Sequence, residues 1–180
     1  MKLYLNVDND FIDLNTYLQG IAIPFRRKSF KTIWELKNEK DAEKVNNYLQ
    51  KFWLFEPPDF VKITPLCDYK LLNQATINEL EKLRDFFPKG LYVNSLYRPI
   101  GAIVYGKKDY IDCRDFRGHW LGLSIDIAIR KTAINNNLTE DRVVEILTNR
   151  QFRRPFLKRG ETWHFRYTGN IWRADNEENT

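Results

Sequence analysis

The 180-residue chain has few cysteines, few histidines and no long apolar run. Cys67 and Cys113 form neither a CxxC pair nor a zinc-finger spacing. We therefore expect two reduced, partly buried thiols, and neither a disulfide framework nor a cysteine metal site. No stretch approaches the ~18–20 apolar residues that span a bilayer, so no membrane span is expected. The first twenty residues carry Asp8, Asp10 and Asp13 and lack the apolar centre of a signal peptide, so we expect a chain that is cytoplasmic as synthesised.

The chain also lacks a strong charge imbalance. Its 29 Lys and Arg residues oppose 24 Asp and Glu residues, which gives a net charge of +5. This mildly basic balance favours anionic partners such as nucleic acid, an anionic membrane or an anionic cell-wall polymer. The basic residues form no long block, however, which favours a mixed solvated surface. With 43% hydrophobic residues, the chain can bury a core without disulfides.

Apolar periodicity predicts an α+β domain of helices and short antiparallel strands. Helices are predicted at 41–55, 76–87 and 139–149, and strands at 91–96, 121–129 and 161–167. Thr76 with Glu79 forms a capping box for the second helix, and Thr139 is the predicted cap of the third. The Pro57-Pro58 pair ends the first helix, because proline blocks both helix and central strand.

The strand predicted at 121–129 carries one acidic residue on a face of small side chains. Leucine and isoleucine alternate onto the other face. Asp126 shares its own face with Gly122, Ser124 and Ala128. A buried carboxylate without a partner would cost several kcal/mol. Asp126 therefore needs a cation such as a metal ion, or else backbone amides or an arginine.

Both histidines of the chain lie near acidic residues. His119 precedes Asp126 by seven residues, so an unbroken strand would place the two side chains on opposite faces. They converge only if His119 lies in the loop before the strand. His164 alternates with Trp163 and Phe165, which we expect to pack into the core, so His164 projects the other way. Each histidine alone would also fit a structural hydrogen-bonding role.

Taken together, these residues predict a metal site. Two imidazoles, one carboxylate and an open fourth position form a common catalytic zinc shell. His119, Asp126 and His164 would supply these ligands. Glu161, three residues before His164, is suitably placed to act as a general base on water.

Three motifs occur in order over roughly residues 76–168. The first is Ser95-Leu96-Tyr97-Arg98-Pro99, the second is His-x-x-Gly-x-Ser-x-Asp from His119 to Asp126, and the third is Glu-x-Trp-His from Glu161 to His164. In this order they resemble the zinc D-Ala-D-Ala carboxypeptidase and dipeptidase family, whose relatives include phage endolysin peptidases and the hedgehog signalling domain. The chain departs from the family at Arg117, where the family often has serine.

The resemblance implies a hedgehog/DD-peptidase-like fold, in which helices flank a small antiparallel sheet, over residues 71–174. Residues 1–70 are predicted to be an N-terminal extension packed on this core, and residues 175–180 a disordered acidic tail. The resemblance also implies Zn²⁺ as cofactor, and it assigns the site residues as follows. The implied metal ligands are His119, Asp126 and His164, and the implied catalytic residues are Glu161 and Arg98. The implied substrate-binding residues are Ser95, Tyr97, Ser124 and Trp163.

The expected function is hydrolysis of peptide bonds in cell-wall peptides or dipeptides that contain D-amino acids. A D-Ala-D-Ala dipeptidase, a carboxypeptidase and an endolysin-type endopeptidase that acts on the wall after release all remain open. The alternative is a non-catalytic zinc-containing binding module on the same fold, although such a module needs no base at Glu161. The stretch 25–31 interleaves aromatic and basic residues as nucleic-acid surfaces do. A solvated edge is favoured there, so nucleic acid is not expected as a partner.

Overall fold

In the computed structural model, small β-sheets are flanked by helices, and residues 2–6, 12–28, 31–65, 67, 69–100 and 118–171 are described. The strands are β1 (Lys2–Asn6), β2 (Ala22–Lys28), β3 (Lys31–Leu36), β4 (Leu54–Phe55), β5 (Val61–Ile63), β6 (Leu72–Asn73), β7 (Leu91–Ser95), β8 (Ser124–Ile127), β9 (Phe152–Arg153) and β10 (His164–Tyr167). The α-helices are α1 (Ile12–Ile21), α2 (Glu39–Phe52), α3 (Gln74–Glu81), α4 (Ile129–Asn136) and α5 (Glu140–Thr148). The predicted α+β class is confirmed. Within these ranges, every helix is too short or too polar to span a bilayer.

The largest sheet has five strands in the order β5-β7-β8-β10-β9. β8 pairs antiparallel with both β7 and β10, and β10 pairs antiparallel with β9. β5 and β7 are parallel, which differs from the predicted all-antiparallel sheet. The reason is the long connection through β6 and α3, because a crossover of this length returns the chain in the same direction. The smaller sheets have the orders β1-β3-β2 and β4-β6.

One contiguous apolar core joins the first 70 residues to the remainder of the chain. Its members include Leu14, Leu49 and Trp53 from the first part, and Leu80, Leu123 and Phe165 from the second. β5 lies before residue 71 but pairs with β7, so the predicted boundary separates β5 from the other strands of its sheet. The predicted acidic tail and Cys113 lie outside the described residues, whereas Cys67 is buried and its thiol donates to the Tyr69 carbonyl at 3.1 Å.

The predicted helix caps are partly correct. Helix α5 begins as expected, because the Thr139 side chain accepts the N–H of Arg142 at 3.1 Å. The capping box of Thr76 and Glu79 is wrong. Asn73 caps α3 instead, accepting the N–H of the second helical residue at 3.0 Å, which places Thr76 inside the first turn. An asparagine just before a helix is a preferred cap, so this signal was present in the sequence.

The strand predicted at 121–129 is shorter in the structure. Only Ser124–Ile127 form β8, and His119–Leu121 form a short 3-10 helix that precedes it. Gly122 separates the two with a φ of 68°, a left-handed conformation that interrupts any strand. Helix α4 then begins at Ile129. His119 therefore lies outside the strand, the arrangement that its convergence with Asp126 requires.

Candidate metal centre

Two of the candidate ligands face each other across one pair of strands. Asp126 on β8 and His164 on β10 are direct partners in the antiparallel register. Directly opposed side chains on one face of a sheet lie about 4.5–5.5 Å apart at their Cβ atoms. The sheet itself therefore sets their separation. His119 joins them from the 3-10 helix before β8, and all three side chains are buried.

Gly122 stabilises the turn that places His119 beside Asp126 and His164. Its N–H donates to the His119 carbonyl at 3.1 Å, and its own carbonyl accepts the Asn73 N–H and the Thr76 hydroxyl, both at 3.0 Å. A Cβ atom at position 122 would lie 2.5 Å from the backbone nitrogen of Asn73 and 2.5 Å from a methyl carbon of Leu54. Only glycine therefore satisfies both the left-handed φ and the close approach of β6.

We expect Gly122→Ala to destabilise the fold by about 3 kcal/mol or more, because backbone strain and a steric clash with backbone act together. Gly160→Ala tests backbone strain without a steric clash, because Gly160 has a φ of 84° but open space around its Cβ position. It should lower the free energy of unfolding by about 1–2 kcal/mol. Gly20→Ala, within helix α1 and also in open space, should stabilise by about 0.5–1 kcal/mol. Urea denaturation of the three variants measures this order, and equal losses at positions 122 and 160 would contradict it.

The ligand atoms of the three residues form a small triangle. Asp126 Oδ1 lies 3.3 Å from His119 Nε2 and 2.9 Å from His164 Nδ1. The two histidine nitrogens are 3.3 Å apart. A tetrahedral site with metal–nitrogen bonds of about 2.0–2.1 Å places neighbouring ligand atoms roughly 3.3 Å apart. This buried group could therefore hold a metal ion.

The hydrogen bonding of His119 fixes which nitrogen faces the triangle. Its Nδ1 atom contacts the Leu96 carbonyl, which can only accept, so Nδ1 carries the hydrogen. Burial lowers the pKa of His119, and the charge of Asp126 opposes this shift. Its other nitrogen, Nε2, faces the carboxylate oxygen of Asp126 at 3.3 Å. A proton on Nε2 or a metal ion between the two atoms would satisfy this contact, so the geometry is compatible with a metal ligand.

The same burial predicts how stability changes with pH. His119 has a pKa of about 6.5 in the unfolded chain, whereas burial lowers its pKa in the folded protein. The contribution of His119 to the unfolding free energy of the metal-free protein is therefore complete above about pH 6.5 and is lost as the pH falls below it. Denaturation at pH 8, 6.5 and 5.5 should show this decline, and His119→Asn should show a shallower one. Equal slopes would contradict a neutral, buried His119.

Arg98 joins the upstream motif to the other oxygen of Asp126. One of its terminal nitrogens donates to Asp126 Oδ2 at 2.5 Å, its Nε donates to Ser95 Oγ at 2.8 Å, and its backbone N–H donates to the His119 carbonyl at 3.1 Å. Burial alone would raise the pKa of Asp126, but His119, His164 and Arg98 together lower it well below its usual value. An arginine therefore does satisfy the buried carboxylate, but on Oδ2 only. Oδ1 faces the two imidazoles.

The remaining candidate residues occupy different positions around this centre. Glu161 is half-buried in the turn before β10, and it is not part of the group whose ligand atoms lie within 4.8 Å of one another. Trp163 was expected to pack into the core but is 43% exposed, because β10 begins only at His164. Tyr97 and Ser124, predicted as substrate contacts, are 1% and 0% exposed. These two side chains are buried, so neither presents a surface to a substrate in this structure.

Two neighbours of the centre were not predicted from the sequence. The ring of Phe156 packs against His164 with centroids 5.0 Å apart. The backbone carbonyl of Leu96 orients His119, as the outer partners of metal-bound histidines commonly do. Neither contact leaves a sequence signal, because one depends on the loop after β9 and the other on a main-chain atom.

Comparisons of the chain with protein-family models, with curated proteins and with solved structures found no match. The chemistry of the centre must therefore be inferred from its own residues and from the three motifs. Two imidazoles and one carboxylate are donors that suit Zn²⁺ as well as other first-row metals.

Proposed function

We propose that the protein is a zinc-dependent peptidase that acts on cell-wall peptides or dipeptides containing D-amino acids. The observation that carries the proposal is the triangle of His119 Nε2, Asp126 Oδ1 and His164 Nδ1, whose edges match a tetrahedral zinc shell with one further position. The order of the three motifs supports the substrate class. Zinc in such a site supplies Lewis-acid activation of water and of a carbonyl oxygen.

Glu161 would act as the general base and acid. It lies three residues before His164 in the chain, outside the ligand group. Its carboxylate would accept a proton from the attacking water and return that proton to the leaving amine. A separate base of this kind distinguishes a hydrolytic site from a binding-only one, in which the residue has no chemical role.

Arg98 would stabilise the negative charge that develops on the carbonyl oxygen. Its guanidinium has five N–H donors, and the bonds to Ser95 and Asp126 engage two of them. The side chain is 22% exposed, so it borders both the buried carboxylate and the solvent. Pro99 restricts the Arg98 backbone to extended conformations, which limits the directions that the side chain can take.

The test uses the purified, zinc-loaded protein with three substrates. These are the dipeptide D-Ala-D-Ala, a stem peptide that ends in D-Ala-D-Ala, and intact peptidoglycan, with L-Ala-L-Ala as the stereochemical control. Mass spectrometry of the new termini separates a dipeptidase, a carboxypeptidase and an endopeptidase. Failure to cleave any of the D-amino acid substrates while zinc is bound would refute the proposal and favour the non-catalytic zinc module.

We expect Arg98→Lys to bind one zinc at saturation but to hydrolyse its substrate roughly 10²-fold more slowly. Lysine keeps the charge but cannot form the planar fork that bonds Ser95, Asp126 and a substrate oxygen together. Arg84→Lys is the matched control, because Arg84 also pairs with carboxylates but on the exposed surface. Steady-state kinetics and zinc content on both variants measure the difference. Unchanged turnover in Arg98→Lys would remove Arg98 from the mechanism.

A further inference from the structure

We infer that Asn46, on helix α2 in the first 70 residues, is a positioning residue for the metal centre. It holds the segment 96–100, which carries Arg98 and the Leu96 carbonyl. The inference rests on the proposed function for its catalytic consequence, but its effect on metal binding is measured separately.

The side-chain amide of Asn46 makes three hydrogen bonds to this segment. Its Oδ1 accepts the Ile100 N–H at 2.8 Å and the Tyr97 hydroxyl at 3.1 Å, and its Nδ2 donates to the Ile100 carbonyl at 3.0 Å. The two bonds to Ile100 have ordinary lengths for N–H···O bonds, whereas the bond from the Tyr97 hydroxyl is long for its type. Asn46 thus bonds both main-chain polar groups of Ile100, as a neighbouring strand would.

The segment depends on such external bonds because it has no regular structure of its own. β7 ends at Ser95, and residues 96–100 form neither strand nor helix. Pro99 has no N–H to donate. The N–H groups of Tyr97 and Arg98 donate to the carbonyls of Leu71 and His119, each at 3.1 Å. Asn46 is the partner of the Ile100 main chain.

The same segment contacts two of the three candidate ligands. The Leu96 carbonyl orients His119, and the Arg98 guanidinium bonds Asp126. Outer partners of this kind typically change metal affinity or activity 10–100-fold when they are lost. A shift of the segment would move both partners at once, so its position matters to the metal more than that of an ordinary loop.

Helix α2 provides a rigid base for Asn46. Ala42, Val45 and Leu49 of this helix are buried in the core, and Asn46 itself is half-buried on the side that faces the segment. Asn46 and Ile100 are 54 residues apart in the chain, so the contact is tertiary. The neighbouring Asn47 is exposed. The N-terminal region therefore takes part in building the site, beyond adding to the core.

The experiment compares Asn46→Ala with Asn47→Ala, the same chemical change one position along the same helix. Zinc affinity is measured by competition with a chelator, at a temperature where the metal-free proteins are folded. We expect about tenfold weaker binding for Asn46→Ala and unchanged binding for Asn47→Ala. Asn46→Asp, which keeps the acceptor but loses the donor to Ile100, should show a smaller loss and keeps the test valid if the alanine variant fails to fold. Equal affinities for the Asn46 and Asn47 variants would overturn the inference.

A double-variant cycle separates positioning from general stability. If Asn46 acts through the segment that carries Arg98, the loss of zinc affinity in Asn46→Ala/Arg98→Ala should be smaller than the product of the two single losses, because Arg98→Ala removes the bond to Asp126 outright. Independent, multiplying losses would instead show a purely structural role and contradict the inference. If the wild-type protein cleaves no peptide but Asn46→Ala binds zinc more weakly than Asn47→Ala, the proposed function is refuted and the inference is supported. If peptides are cleaved but the Asn46 and Asn47 variants bind zinc equally, only the inference falls.

Discussion

Asp126→Asn should lose zinc affinity by more than the roughly 10–100-fold that removal of an outer partner costs, because it changes a proposed ligand itself. The amide keeps the shape of the side chain but removes the negative charge that both imidazoles and Arg98 surround. Peptide hydrolysis should fall to background at ordinary zinc concentrations. Chelator competition measures the affinity, and hydrolysis measured with excess zinc shows whether the remaining activity follows metal occupancy.

Asp59→Asn is the matched control for this variant. Asp59 also accepts a short bond from an arginine, 2.6 Å from Arg84, but its side chain is 82% exposed. An exposed pair contributes little, so zinc affinity and turnover should equal those of the wild type. Wild-type zinc affinity in Asp126→Asn would exclude Asp126 as a ligand, whatever the protein hydrolyses.

Glu161→Gln should lower the hydrolysis rate about 10²–10⁴-fold while zinc remains bound, which is the usual effect of removing a general acid–base residue. The amide is close in size to the carboxylate, so the turn before β10 should keep its shape. Zinc content and peptide cleavage are measured on the same samples. Because Glu161 lies outside the ligand group, we expect the affinity to stay within about twofold of the wild type.

Glu56→Gln, at an exposed position between β4 and β5, should leave both properties unchanged. Lower zinc affinity in Glu161→Gln would make Glu161 a fourth ligand and the centre a closed structural site. Retained zinc with unchanged cleavage would show that another group is the base. Absence of cleavage in the wild type as well would favour the binding module.

The sequence predicted the grouping of His119, Asp126 and His164, because histidine is scarce in this chain and the strand period places Asp126 among small residues. It did not predict the local structure around Gly122. Alternating leucine and glycine at 121–123 fits a strand, but it fits equally well a 3-10 turn closed by a left-handed glycine. Because the predicted strand extended through Ile129, the start of helix α4 at that residue was not predicted.

Features that depend on distant contacts left no local signal. The parallel pairing of β5 with β7 follows from the path of the chain through α3, and the apolar pattern of residues 61–63 does not specify its direction. Asn46 lies 54 residues from Ile100, and nothing in its neighbourhood on α2 marks it as different from Asn47. Periodicity and motifs therefore predict elements and chemical groups, whereas the supports of the site require the assembled structure.

The hydrogen bond between the Arg98 N–H and the His119 carbonyl has an evolutionary consequence. It joins the two ends of the chain stretch that separates the first motif from the second, so that both ends are held at one point beside the centre. Because the bond uses only main-chain atoms, an exchange of the side chain at position 98 or 119 need not break it. Proline at position 98 is the exception, because proline has no N–H to donate. We therefore expect lineages that share the centre to exclude proline from position 98.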